Sequence, residues 1–96
     1  MGRRVIERKL AELTDRLSRV RDDLDVADEQ LAHLEHLAEE ARVRALVSET
    51  AISDREHREA ERHATAMKKQ RDPINDEVDR LEAAQDEMLD RFIASG

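Results

Sequence analysis

Apolar or small side chains recur at alternating spacings of 4 and 3 through Ile6, Leu10, Leu13, Leu17, Val20, Leu24, Ala27, Leu31, Leu34, Ala38, Ala41 and Ala45. That repeat keeps one stripe of an α-helix turned toward a partner helix. A second stripe runs through Ala60, Ala64, Met67, Ile74, Val78, Leu81, Met88 and Phe92, with Arg71 and Gln85 at the two steps where the spacing calls for an apolar residue. Folding the chain back near Thr50 lays one stripe on the other. The pattern predicts an all-α fold, a long antiparallel two-helix coiled-coil hairpin forming a single domain over 1–96. Helix one spans about 3–47, the turn about 48–53 and helix two about 54–94. Such hairpins can also pair into a four-helix bundle.

Local signals refine the turn. Ser53-Asp54-Arg55-Glu56 has the form of a capping box, which places the start of helix two at Asp54. Val47 and Ile52 are then expected to fold inward as a small apolar plug. In this register the numbers of facing residues sum to about 101 to 102, setting Val20 against Leu81, Leu24 against Val78, and Ala41 against Ala60. Pro73 removes one backbone donor, so helix two is either kinked there or broken. The unbroken 4 and 3 spacing on both sides favours a continuous helix.

Charge supports the antiparallel pairing. Residues 1–21 hold seven basic and three acidic side chains, and residues 22–40 hold eight acidic and none basic. Residues 55–71 hold six basic and three acidic, and residues 72–90 hold eight acidic against Arg80 alone. A hairpin sets each basic block beside an acidic one, whereas a parallel in-register dimer would set acid against acid. Single exposed pairs contribute only ~0.2–1 kcal/mol, but whole faces of one sign select orientation.

Composition narrows the functional classes. With 43% charged residues, one aromatic and a net charge of −7, the chain offers neither the basic surface nor the aromatic platforms of a nucleic-acid binder. There is no cysteine, and the Arg3-Arg4 start is followed at once by charges rather than by an apolar leader, so a cytoplasmic protein is expected. No apolar run approaches the ~18 residues of a membrane span. The histidines form ordinary helix-surface pairs such as Glu29 with His33 and Glu59 with His63, without convergent third and fourth ligands. No catalytic, cofactor-binding or metal-ligating set is therefore expected.

Three families share this length or topology. The chain is similar in size to the ferritin-like cargo proteins of encapsulin compartments, but it has no Glu-x-x-His; the nearest segment, Asp54-Arg55-Glu56-His57, lies at the turn. It resembles the small WXG-type secreted hairpins in outline while lacking their Trp-x-Gly turn. Glu49, Asp54 and Glu56 stand where Gre-like factors, which reach into RNA polymerase with a coiled-coil hairpin, present acidic residues. That likeness implies a transcription-complex regulator as the alternative function, with a small metal-binding protein as a further one.

The main expectation is a non-enzymatic protein acting by protein–protein contact, as an adaptor or through self-assembly into a dimer of hairpins. Apolar residues off the stripe and acids at the turn supply the candidate interaction surface: Leu37, Val43, Leu46, Glu49, Asp54, Glu56 and Ile93.

Overall fold

The computed structural model describes residues 2–96 and contains two helices, α1 (Arg3–Ser48, 46 residues) and α2 (Ala51–Ser95, 45 residues). They fold back on one another as an all-α helical hairpin. α2 is continuous through Pro73. Loss of the residue 73 donor is tolerated because helical bonds on both sides persist and the proline ring stands at an exposed position.

Among the described residues, the twelve positions of the predicted first stripe are the only ones of α1 that are buried or half-buried. On α2 the predicted stripe is likewise covered, and Ser53 and His57 continue it to the turn at the same spacing. The helices are joined by Glu49 and Thr50 alone, a shorter connection than 48–53. Shortening moves the register. Asp28 meets Arg71 and Thr14 meets Gln85, pairs whose numbers sum to 99 rather than 101 or 102.

The hairpin divides into two compact units, Met1–Leu24 with Ile74–Gly96, and Asp25–Pro73. The core of the first is Leu17, Val20 and Val78, with Leu24, Ile74 and Leu81 packed around them. Side chains of both helices thus share one cluster, as any antiparallel fold-back near Thr50 requires. Arg16 pairs with Glu77, and Arg21 with Glu82 at 3.1 Å, across the two helices. Gln85 fills its polar place in the stripe by donating to the Thr14 hydroxyl at 3.1 Å. At the terminus, the Arg3 guanidinium lies 4.1 Å from the centroid of the Phe92 ring, a cation–π contact.

The second unit is built on smaller side chains. Ala27, Leu31, Ala41 and Ala45 are buried, facing half-buried Ala60, Ala64 and Met67. Arg71 occupies the stripe near Asp28 (3.7 Å) and Asp72 (3.2 Å). Its Nε atom is nevertheless buried and makes no hydrogen bond. Among the described residues, the three cross-helix ion pairs each join a basic block to an acidic one.

Candidate interaction surface at the hairpin turn

The turn is held by two devices. α1 ends with Glu49 in the left-handed conformation (φ 51°), its N–H donating to the Ala45 carbonyl at 3.0 Å. This is the αL form of helix termination, which usually employs glycine. Thr50 then caps α2. The Thr50 hydroxyl oxygen accepts from the Ser53 N–H at 3.1 Å, and the Ser53 hydroxyl oxygen accepts from the Thr50 N–H at 3.3 Å. The capping box is therefore Thr50-Ala51-Ile52-Ser53, not Ser53-Asp54-Arg55-Glu56. Both segments have a hydroxyl residue leading, but only the first puts Ser53 on the buried stripe, where it is 7% exposed and also donates to the Thr50 carbonyl at 3.0 Å.

Starting α2 three residues early removes the plug. Val47 is 80% exposed and Ile52 is 71% exposed. Each lies on its helix away from the stripe, so neither can turn inward. Val43 and Leu46, at 46% and 63%, stand on the same outward face of α1 as Val47, spaced 3 and 4 residues apart. Val43 and Leu46 of this patch were already candidates as apolar residues off the stripe, whereas Val47 was missed through the assumption that apolar residues beside a turn pack against it. The helical phase, carried on from Ala41 and Ala45, was the signal that could have revealed it.

Of the candidate surface residues, Leu37, Val43, Leu46, Glu49, Asp54 and Glu56 are exposed and lie in the second unit. Ile93 is also exposed but belongs to the first unit. Around the patch, Arg42 makes two hydrogen bonds to Glu39, of 2.9 and 2.6 Å. That bond holds the Glu39 carboxyl below the usual glutamate range, with a smaller electrostatic contribution from His57, and pushes the Arg42 guanidinium up. Arg55 pairs with Glu59, His57 with Glu61 and His36 with Glu40, each along its own helix. Among the described residues no three His, Asp or Glu side chains gather as a metal-ligand set, and no helix is long and apolar enough to cross a membrane.

Comparison with protein-family models, with curated proteins and with solved structures returned no significant match.

Proposed function

We propose that this hairpin is a non-enzymatic binding protein that engages another protein through the outward face of the last turns of α1. The exposure of Val43, Leu46 and Val47 at helical spacing carries this reading. Single exposed apolar residues are ordinary on a soluble protein, but a contiguous apolar face rimmed by charges is the usual mark of a docking site. A helix with such a face fits an apolar groove in its partner.

A photo-crosslinking residue placed at Val47 in the native cell should give an adduct of defined mass. The same residue at exposed Gln30 should not, and Leu46→Ser should abolish the Val47 adduct while leaving helicity unchanged. Identical adducts from both positions would refute the reading. The left-handed Glu49 leads the turn beside exposed Asp54 and Glu56. This favours, as a second reading, a regulator that presents acids to RNA polymerase. An adduct containing polymerase subunits and lost on Glu49→Gln, rather than on Leu46→Ser, would select it.

A further inference from the structure

We propose that a second copy of this chain packs on one flat face of the second compact unit, α1 on α1 and α2 on α2, antiparallel about a two-fold axis that passes Leu37. The buried stripe divides the surface of this unit into two flat faces. Because the helices are antiparallel, residues that immediately precede stripe positions fall on one side of the hairpin, and residues that immediately follow them fall on the other. Glu35, Glu39, Glu61 and Thr65, all of the following kind, line one shared groove with Ala38 and Ala64. Within Asp25–Pro73 each face has twelve such positions, and all twelve preceding ones are exposed. Nine of the twelve following positions are charged, against four of the preceding ones, Glu40, Arg44, Glu56 and Glu59. The charge-poor face carries instead Val26, Leu37 and Ile52, at 55%, 39% and 71% exposure, where the other has Leu46 alone among large apolar residues.

In a chain that is 43% charged, one face nearly cleared of charge has the composition of a surface that another protein covers. The clearing is confined to the second unit. In the first unit the positions preceding the stripe are charged at nine of eleven. The second unit is ~36 Å long and two helices wide, so the face offers roughly 700 Å² per copy and about 1,400 Å² in a dimer, within the range of specific interfaces.

The hairpin itself fixes the register. Leu37 is the large apolar residue nearest the middle of this face, and on a two-fold axis it meets its own copy. Contacts within the hairpin set level those residues whose numbers sum to about 99, which carries the axis past residues 61 and 62 of α2. No freedom remains, and the facing pairs are compatible on both helices. On α1, Glu40 meets His33 and Arg44 meets Gln30; on α2, Glu59 meets His63 and Ile52 meets Gln70. A two-fold interface makes each of these contacts twice. Glu56 falls over small Ala66 and stands level with Arg44 of its own chain. Among the described residues neither Arg44 nor Glu56 enters an ion pair, so the charges covered there are opposite and uncommitted. The other two-fold arrangement, α1 over α2, would set Glu40 on Glu59 twice. The contact ends at Val26 and Gln70, so it needs no residue of the first unit. Val43 and Leu46 lie outside it, which separates this inference from the function proposed above.

A residue that faces its own copy gives the test. Sedimentation should show a wild-type dimer, and Leu37→Glu and Leu37→Lys should each be monomeric at the same concentration, because a like charge then meets itself across the axis. Leu37 is exposed on its helix, so circular dichroism should show unchanged helicity in both variants. Mixed together, the two should associate at least about tenfold more tightly than either does alone. The chain has no cysteine, so Leu37→Cys should form a disulfide-linked dimer under mild oxidation far faster than Leu46→Cys on the opposite face. Leu46→Ser should leave the dimer intact. In the cell the dimer should show itself at Gln30 as a self-adduct of twice the chain's own mass, which sets it apart from the adduct with another protein at Val47. A wild-type monomer at every concentration, no gain on mixing the two charged variants, or a preferred disulfide between Leu37→Cys and His63→Cys chains, the mark of α1 over α2, would each overturn the proposal.

Discussion

Replacing Thr50 with alanine tests the account of the turn most directly. The substitution removes the acceptor of the Ser53 N–H, now 3.1 Å from the Thr50 hydroxyl, inside a residue that is 7% exposed. Water cannot readily replace that acceptor. Loss of an N-cap costs ~1 kcal/mol on average, and a buried amide left without a partner costs ~1–3 kcal/mol. Thr50→Ala should therefore destabilise the hairpin by ~1–2 kcal/mol. Ser53→Ala is milder: the Ser53 amide keeps its acceptor and the methyl group suits a buried position, while the bonds lost with the hydroxyl, from the Thr50 N–H at 3.3 Å and to the Thr50 carbonyl at 3.0 Å, involve groups of exposed Thr50 that water can reach. It should cost well under ~1 kcal/mol. Thr50→Ser should be nearly neutral. Urea unfolding followed by circular dichroism, at one protein concentration and with an unchanged m value, gives the ranking. If Ser53→Ala proved the more damaging and Thr50→Ala were silent, α2 would begin at Asp54 with Ser53 as its cap, and the short connection would be wrong.

Other consequences follow from particular residues. Glu49→Gly should stabilise the fold by up to ~1 kcal/mol, because glycine relieves the left-handed strain at some cost in unfolded-chain entropy; the same urea titration would detect it, and a loss of stability would contradict the αL termination. Arg71→Leu should raise the unfolding midpoint by the equivalent of ~1–3 kcal/mol, since it replaces a charge with an orphaned buried Nε by an apolar side chain; a drop would mean that its contacts with Asp28 and Asp72 outweigh desolvation. Carbon-detected NMR should show Glu39 titrating below the ordinary glutamate range, and Arg42→Gln should remove that depression. Because the folded value is lowered, the stabilisation from the pair is present at neutral pH and disappears as acid protonates Glu39. Both side chains are fully solvated, so the effect belongs in the titration curve rather than in the unfolding midpoint.

Much of the fold was legible before any coordinates. The stripe of α1 follows from spacing alone, because a helix repeats every ~3.6 residues and only one face of each helix can meet the other. The polar interruptions at Arg71 and Gln85 were also visible, and their answer from α1, Asp28 and Thr14, depends on a register that the sequence leaves open by a few residues. The start of α2 was harder. Thr50 and Ser53 are both competent caps, and the local chemistry of hydroxyl and amide is the same for each. The polar Ser53 and His57 also concealed that the stripe runs on to the turn.

Helix content, antiparallel orientation and the pairing of basic with acidic blocks are written in the chain, since they arise from residue order repeated along two helices and need no knowledge of distant contacts. The choice between two caps, the two-residue connection and the outward placement of Val47 and Ile52 were decided by tertiary packing. Burying Ser53 against α1 selects one helix phase, and that phase then dictates which side chains face water.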